Sequence, residues 1–243
     1  MSLPVPLTSA DRIDPQLLRE GFAVAGAGTV CQLTDCTLDE LQAWTPSWDR
    51  LPPDEYLRDG GRYRRRRHAN FVIEGSEVRL APHRAHWQPL EYNALHGGME
   101  RWFEPMEAGV IGSAAWQRLL AGLGNRASIL KGEQPWFAEA HQFRIDTEGG
   151  IGRPTPEGAH RDGVDLVAVF LVARSGIKGG ETRVFQADGP VGMRFTLSEP
   201  WSLLLLDDER MIHETTPIQP EGTGRGWRDT LVLTLRAGGF QGP

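Results

Sequence analysis

The second half of the chain is a series of short segments rich in β-forming residues, and this pattern restricts the fold more than any other feature. Clusters of Gly, Pro and Asp separate the segments at roughly regular spacing, which is typical of an antiparallel sandwich or barrel. The pattern predicts six strands, at Phe137 to Ile145, Leu166 to Ala173, Glu181 to Phe185, Gly192 to Leu197, Trp201 to Leu206 and Asp229 to Leu235.

Helical patterns predominate in the first half. Capping residues and apolar spacing predict short helices at Asp14 to Gly21 and Thr37 to Trp44. Between Gly98 and Leu123 they predict helices around Trp102, Val110, Trp116, Leu119 and Leu120. The alternating stretch Arg62 to Ile73 predicts a strand. We therefore expect a mainly β fold with flanking helices (α+β), in which the first half braces one sheet.

No linker-like stretch divides the sequence, so we expect one domain over residues 1–243. Residues 1–135 would supply helical and strand embellishments, and residues 136–236 the β core. A net charge of −6 argues against nucleic acid or an anionic membrane as the partner. The run Arg64 to Arg67 is more typical of a solvated face or an edge strand than of a local anionic site.

Two cysteines, Cys31 and Cys36, are too few and wrongly spaced for a zinc ribbon or a C-x-x-C redox motif. They are expected to be free thiols. The sequence shows no signal peptide and no apolar run of membrane-spanning length. These features favour a cytoplasmic protein. Eight tryptophans suit either a core or an apolar interface, and a homodimer is possible.

His160 and Asp162 form an H-x-D pair, and His213 follows 51 residues after the aspartate. In an extended segment, residues two apart project to the same face and can hold one ion. Two imidazoles and one carboxylate occupy one face of an octahedral Fe(II) and leave three positions open. The alternative is that each histidine is an ordinary surface or core residue. The combination favours a non-haem iron site with these three residues as metal ligands and catalytic centre.

Arg228 and Thr230 follow the last histidine and lie two apart on a predicted strand. A guanidinium and a hydroxyl on one face are suited to hold a carboxylate such as the distal one of 2-oxoglutarate. Alternatively, Arg228 is a surface charge at the start of a strand. Gly179-Gly180 is more typical of a tight turn than of a ligand contact.

The motifs together resemble a known family of bacterial 2-oxoglutarate/Fe(II) dioxygenases, the BsmA-like enzymes that include L-isoleucine hydroxylase and related hydroxylases of free L-amino acids. The resemblance covers roughly residues 62 to 236, and its most specific block is P-E-G-A-H-R-D-G from Pro156 to Gly163. The other matching pieces are Tyr92-Asn93, Gly97 to Arg101, His141 to Ile145, Gly179 to Glu181, Asp207-Asp208 with His213, and Arg228 to Leu231.

This resemblance implies a double-stranded β-helix (jelly roll, cupin-like) with helices packed on one side. It implies Fe(II) bound by His160, Asp162 and His213, and 2-oxoglutarate bound by Arg228 and, less firmly, Thr230. The substrate would be a free aliphatic or thioether L-amino acid that is hydroxylated or sulfoxidised, while 2-oxoglutarate and O2 give succinate and CO2. A carboxylate at Asp162 favours hydroxylation, since a small residue there would open a halide site.

The substrate-binding residues are predicted less directly. A free amino acid needs partners for a carboxylate and an ammonium. Arg144 is the candidate for the carboxylate, and Glu157 or Asp165 for the ammonium, while Asn93 could shape a loop over the pocket. Each also has an ordinary structural interpretation as an ion pair, a loop charge or a turn residue. Strand alternation allows either Gln142 or its neighbours to face the pocket, but not both.

Three other functions remain open. A cupin-like module could bind or sense a metal without turnover, but it gives no purpose to Arg228 and Thr230. A dioxygenase acting on a peptide or on another small molecule would retain the same iron ligands. A zinc hydrolase is the least favoured, because no general-base glutamate lies at a recognisable spacing.

Overall fold

The computed structural model describes residues 5–243, which form five α-helices, one 3₁₀ helix and twelve strands. The helices are α1 (Ala10–Glu20), α2 (Ala27–Thr34), α3 (Leu38–Gln42), the 3₁₀ helix (Thr45–Arg50), α4 (Ala108–Ile111) and α5 (Ala114–Lys131). The strands are β1 (Phe22–Ala25), β2 (Arg64–Glu74), β3 (Glu77–Leu80), β4 (Trp136–Asp146), β5 (Leu166–Ser175), β6 (Ile177–Gly179), β7 (Thr182–Gln186), β8 (Gly192–Phe195), β9 (Ser202–Asp207), β10 (Met211–Thr215), β11 (Ile218–Pro220) and β12 (Trp227–Ala237).

The strands form one large and two small antiparallel sheets. The large sheet has the order β1-β9-β5-β12-β4-β2-β3, and the small sheets have the orders β10-β7-β8 and β11-β6. Val184 and Met211 of one small sheet pack against Val167 and Leu204 of the large sheet, so these two sheets face each other. The fold is mainly β, with the facing sheets of a jelly roll.

The other face of the large sheet packs on the helices. This core contains Leu17 of α1, Trp116 and Leu120 of α5, and Leu231 and Leu233 of β12, all essentially inaccessible to solvent. Because side chains alternate along a strand, the residues between these leucines point to the opposite face. There they line a cavity between the large and small sheets, so one strand supplies both core and site.

The register of β12, β4 and β2 arranges the cavity-facing residues in rows across three strands. One row is Arg228, Ile145 and Arg64. The next rows along the strands are Thr230, Phe143 and Arg66, then Val232, His141 and His68. Gln142 lies on the helix side, where its amide nitrogen donates to Ser47 Oγ at 2.7 Å. His141 and Phe143 therefore face the cavity, and Gln142 does not.

Trp48 connects the helical layer to the strands beneath the cavity. Its buried indole N–H lies 3.1 Å from the carbonyl oxygen of Phe143 and 3.2 Å from that of Thr230. Trp201 packs edge-on against Trp48 and Trp44, and Trp44 packs in the same way against Trp116. This chain of four indoles places large rigid side chains behind the strands that carry the site.

All six predicted strands of the second half are present, and their ends differ from the predicted ends by at most two residues. The strand predicted at Arg62 to Ile73 is confirmed as β2. The helices at Asp14 and Thr37 correspond to α1 and α3, and Thr37 forms a capping box with Glu40. The prediction of helix around Trp102 was wrong, because residues 98–107 pair with β2 and with His86 through isolated bridges.

Several elements were not predicted because they are too short to show a periodic pattern: α2, β1, β3, β6, β10 and β11. Cys31 and Cys36 are free, as expected. Within residues 5–243, the structure contains no helix with the length and apolar character that would carry it across a bilayer.

We expect Leu120→Ala to lower the free energy of unfolding by about 2–5 kcal/mol, because it leaves a cavity where α5 packs on the sheet. Leu18→Ala is the matched control, since Leu18 on α1 is 49% exposed. Urea denaturation with a common slope measures both variants. An equal loss in the two would show that α5 does not contribute to the core as described.

Candidate metal centre

His160 and His213 come together through their backbones. The N–H of each donates to the carbonyl oxygen of the other, at 3.1 and 3.0 Å, in an isolated antiparallel bridge. His213 belongs to β10, whereas His160 lies in the connection between β4 and β5. The bridge brings residues 53 apart in sequence side by side, with ring centroids 4.6 Å apart.

The side chains of His160, Asp162 and His213 each present one potential ligand atom to a common point. These atoms all lie within 4.8 Å of one another. Asp162 has one carboxylate oxygen 3.8 Å from His160 Nε2 and the other 3.8 Å from His213 Nε2. His160 Nδ1 lies 2.9 Å from the carbonyl oxygen of Gly158, which is a hydrogen bond with Nδ1–H as donor. This tautomer leaves the Nε2 lone pair for a metal.

Two residues hold Asp162 in position. Asp208 accepts hydrogen bonds from the backbone N–H groups of Asp162, Gly163 and Val164 at 2.7–3.1 Å. Gln88 Nε2 donates to Asp162 Oδ1 at 3.1 Å. Burial and the nearby Asp162 raise the pKa of Asp208 to about 7. Asp208 and Gln88 therefore fix both the backbone and the carboxylate of the H-x-D segment.

The electrostatics of the cluster suit a cation. Burial alone would lower the pKa of His160, but the carboxylates of Asp162 and Glu157 outweigh it and raise that pKa. Burial and the neighbouring His160 hold the pKa of His213 well below its usual value. One neutral imidazole beside carboxylates that attract positive charge is the donor set that a divalent metal ion requires. The described residues thus fit Fe(II).

Arg228 is a buried guanidinium that has no carboxylate partner within residues 5–243. It is 3% exposed and lines the cavity. Its Nε and Nη2 atoms have no hydrogen-bond partner among the described residues. Burial and the neighbouring Arg174 lower its pKa to about 10, so the group stays charged at neutral pH. Thr230 also lines the cavity, two residues further along β12. A buried guanidinium with free donors fits the distal carboxylate of 2-oxoglutarate.

Gly179 and Gly180 form the turn before β7 that lies against this arginine. Both have positive φ, +82° and +71°. A Cβ atom on Gly179 would collide with the carbonyl oxygen of Pro217, and one on Gly180 would lie 3.7 Å from Arg228 Cδ. Gly179 ends β6, and Gly180 begins the connection to β7 that brings backbone close to Arg228.

Glu157 and Asn93, two of the four predicted substrate residues, line the same cavity. Glu157 Oε1 lies 3.6 Å from His160 Nε2, while its Oε2 is buried without a hydrogen-bond partner. Asn93 donates to Gln88 Oε1 at 3.1 Å and accepts from the backbone N–H of His96 at 2.7 Å. Asn93 thus shapes the segment that crosses the cavity, and Glu157 offers a carboxylate beside the metal ligands.

The structure places the other two predicted residues, Arg144 and Asp165, outside the lining of the cavity. Arg144 is on the helix side of β4, where it forms a two-bond ion pair with Asp229 at 2.7 Å and also contacts Asp49 at 2.8 Å. Asp165 accepts a hydrogen bond from the backbone N–H of Ala237 at 2.8 Å. Each of the two side chains already has a partner within the protein, which favours a structural role.

The expectation that Arg64 to Arg67 form a solvated face was wrong for two of the four residues. Arg64 and Arg66 are 5% and 3% exposed and line the cavity, while Arg65 and Arg67 point the other way. The edge-strand interpretation is partly right, because β3 pairs only with Phe71 to Glu74, and on that side the arginine-rich half of β2 has only an isolated bridge from Pro53 to Arg65. Alternation along the predicted strand was the signal for this arrangement.

Sequence reasoning also missed a second group of potential metal ligands deeper in the cavity: His68, His86, Glu139 and His141. The rings of His68 and His141 stack at 4.5 Å with planes 11° apart. An imidazole lone pair lies in the ring plane, so two stacked rings cannot both point it at one ion. Arg66 also donates to His141 Nδ1 at 2.7 Å, and its positive charge opposes a cation there. These residues form a buried polar cluster, and the metal belongs with His160, Asp162 and His213.

The cavity as a whole joins these groups in one space of about 920 Å³, including its open mouth. The metal cluster, the free guanidinium of Arg228 and the carboxylate of Glu157 all border it. A metal with three protein ligands on one face and a free anion clamp nearby can bind a chelating keto acid and still accept O2.

Comparison with known proteins agrees with this chemistry. Residues 45–234 match the family model described as 2OG-Fe dioxygenase. The crystal structure of a bsmA homolog from Methylobium petroleophilum PM1 is 51% identical and superposes with a TM-score of 0.93, covering 98% of this chain and 96% of that one. No curated protein matches the chain.

Two more distant structures share the fold. IDO from Bacillus thuringiensis is 16% identical with a TM-score of 0.76, covering 98% of this chain and 100% of that one. The Fe(II)/α-ketoglutarate-dependent dioxygenase TqaL is 18% identical with a TM-score of 0.72, covering 93% and 86%. From the match over most of its length and the 51% identical structure, the chain belongs to the 2OG-Fe dioxygenase family.

Proposed function

We propose that this 2-oxoglutarate-dependent dioxygenase oxidises a free L-amino acid at an aliphatic carbon or a thioether sulfur, with His160, Asp162 and His213 holding the iron. We infer the substrate class from Glu157, which lies beside the metal ligands and has a buried carboxylate oxygen without a hydrogen-bond partner. A buried carboxylate without a partner costs several kcal/mol, and an ammonium group of the substrate relieves that cost. Glu157 is the ammonium partner in this proposal.

The chemistry divides between the bound groups and the protein. Iron, 2-oxoglutarate and O2 together supply the oxidant, and the products are succinate, CO2 and a hydroxylated carbon or a sulfoxide. The two histidines and Asp162 would hold the iron, which would supply binding positions for the cosubstrate and O2. Arg228 would donate to the distal carboxylate of the keto acid, and Thr230 would add a hydroxyl on the same face of β12.

The wall near the metal supports an apolar side chain on the substrate. Val164 follows the H-x-D segment, and Val169 of β5 pairs directly with Val232 of β12. All three line the cavity and pack on the core between the facing sheets. Such a wall excludes water from one side of the substrate and accommodates an aliphatic or thioether chain.

We expect Asp162→Ala to abolish succinate formation, because two histidines alone leave the metal weakly held. The matched control is Asp165→Asn, a nearby aspartate outside the cavity, which should retain most of the activity. Iron content after gel filtration and succinate formation measure the two effects separately. Unchanged iron binding in Asp162→Ala would remove this residue from the ligand set.

We expect Arg228→Ala to raise the concentration of 2-oxoglutarate needed for half-maximal turnover by roughly 30- to 1000-fold, which corresponds to about 2–4 kcal/mol for a buried charged pair. Arg236→Ala is the control, since Arg236 donates to the carbonyl oxygen of Gly239 and does not line the cavity. A larger effect from Arg236→Ala than from Arg228→Ala would move the clamp from Arg228 to Arg236, at the other end of β12.

The proposed function is tested by succinate formation from Fe(II)-loaded protein with 2-oxoglutarate and O2, in the presence of each of the twenty free L-amino acids. A few aliphatic or thioether amino acids should stimulate turnover. Glu157→Gln should raise the KM for the best of them by roughly 10- to 100-fold, the value of a charge-assisted hydrogen bond, and leave the 2-oxoglutarate requirement unchanged. The exposed Glu199→Gln is the control.

Two other outcomes of this experiment are informative. A charge-transfer band with 2-oxoglutarate but no stimulation by any amino acid would assign the enzyme to a peptide or another small molecule. Neither a band nor succinate would indicate a metal-binding module without turnover.

A further inference from the structure

Three buried arginines line the cavity, and together they have too few negative partners. Arg64, Arg66 and Arg101 are 5%, 3% and 2% exposed. The first two share Asp54, which has a carboxylate oxygen 2.7 Å from Arg64 Nε and 3.9 Å from Arg66 Nη1. Within residues 5–243, Arg101 has no carboxylate within 4.0 Å. Buried guanidinium groups are ordinarily paired, so this cluster lacks an anion.

Each of the three has a nitrogen without a hydrogen-bond acceptor. The free groups are Arg64 Nη2, Arg66 Nε and Arg101 Nε, all buried. Other nitrogens of the same side chains are engaged: Arg66 donates to His141 Nδ1 at 2.7 Å, and Arg101 donates to Gln88 Oε1 at 2.9 Å. The bonds that are made fix the guanidinium groups, and the bonds that are missing require an acceptor from outside the protein.

Arg66 is also held by aromatic rings. Its guanidinium carbon lies 3.7 Å from the ring centroid of Phe103 and 4.4 Å from that of Phe143. Stacking between two rings restricts the guanidinium to one plane and directs its N–H groups outward along that plane. This is the preorganisation expected of a group that binds a planar carboxylate.

The arginines are separate from Arg228. Arg64 and Arg228 share a row of the large sheet, with Ile145 between them on β4. Two strand spacings place their backbones about 10 Å apart. A five-carbon keto acid held by Arg228 and chelating the metal leaves the cluster of Arg64, Arg66 and Arg101 for a second molecule.

The overall charge of the cavity is compatible with a zwitterion as the second molecule, although the arginine cluster by itself contacts only Asp54. Four arginines line the cavity: Arg64, Arg66, Arg101 and Arg228. There are also four carboxylates, namely Glu139, Glu157 and Asp162 in the lining and Asp54, which pairs with Arg64. Burial lowers the pKa of His68, His86 and His141 well below the usual value, so these imidazoles add no positive charge to the count. The charges of Fe(II) and doubly charged 2-oxoglutarate cancel. A zwitterion carries no net charge, so the filled cavity keeps its balance of charges.

We propose that Arg64, Arg66 and Arg101 form a second carboxylate-binding subsite, which holds the α-carboxylate of the organic substrate while Glu157 holds its ammonium group. This inference rests on the proposed function, and it replaces Arg144 as the carboxylate partner. It names the substrate class more narrowly, as a molecule that presents a free carboxylate to the inside of the cavity. A peptide with its carboxylates blocked does not meet this requirement.

The experiment compares L-methionine with L-methioninamide, which lacks the carboxylate. Each is titrated into anaerobic Fe(II) protein with 2-oxoglutarate, and the shift of the charge-transfer band reports binding. Wild-type protein should bind L-methionine at least roughly 30-fold more tightly than the amide. Arg66→Met should remove that discrimination and leave the affinity for 2-oxoglutarate within about threefold. Arg101→Met provides a second variant on a different segment.

Arg65→Met is the matched control, because Arg65 is the next residue on β2, points away from the cavity and lies 3.7 Å from Asp146. It should keep the wild-type discrimination. The proposal is overturned if the wild type binds the amide as tightly as the acid. It is also overturned if Arg66→Met and Arg101→Met weaken 2-oxoglutarate instead of L-methionine, or if Arg65→Met has the same effect as both.

If the wild type binds no amino acid, the proposed function fails, and butanoate tests the subsite by itself. A shift of the band or of the melting temperature with butanoate, lost in Arg66→Met and Arg101→Met and kept in Arg65→Met, supports a carboxylate subsite for a substrate of another class. No response of the wild type to butanoate overturns the subsite.

Discussion

The site depends on two hydrogen bonds exchanged between the backbones of His160 and His213. They join a connection that has no regular secondary structure to a strand of the small sheet, and they bring two imidazoles within reach of one ion. Asp208 then stabilises the turn that follows by accepting from three consecutive N–H groups. A long connection is ordinarily the least precise part of a fold, and here backbone pairing gives it the precision of a strand.

A second constraint is the polarity of the cavity. Protein interiors pair their buried charges and polar atoms, yet Arg228, Glu157 and Arg101 all keep buried atoms without partners. The large sheet tolerates this because its opposite face carries the large apolar core that packs on the helices. One face of these strands therefore stabilises the fold, and the other face carries the buried polar atoms of the site that lack partners.

The sequence was sufficient where a pattern is local. The β-rich segments predicted the strands, and the H-x-D pair with His213 predicted three side chains that the structure brings together. It was insufficient where partners are distant. Nothing near Arg144 in sequence shows that Asp229 would occupy it. Burial of Arg66 follows from pairing of β2 with β4 and from Phe103 lying over the guanidinium, and neither contact is local.

The four edge-packed indoles behind the cavity have a consequence for how the enzyme changes during evolution. Trp48 is bonded to the carbonyl groups of two cavity strands and is backed by Trp201 and Trp44, so this wall cannot deepen without losing large buried side chains. The opposite boundary, residues 86–101, consists largely of turns. Replacement of its exposed turn residues, such as Leu90 at 62% exposure, should cost little folding stability. New substrate preferences should therefore arise at those positions, while the tryptophan wall and the buried residues Gln88, Asn93 and Arg101 stay constant.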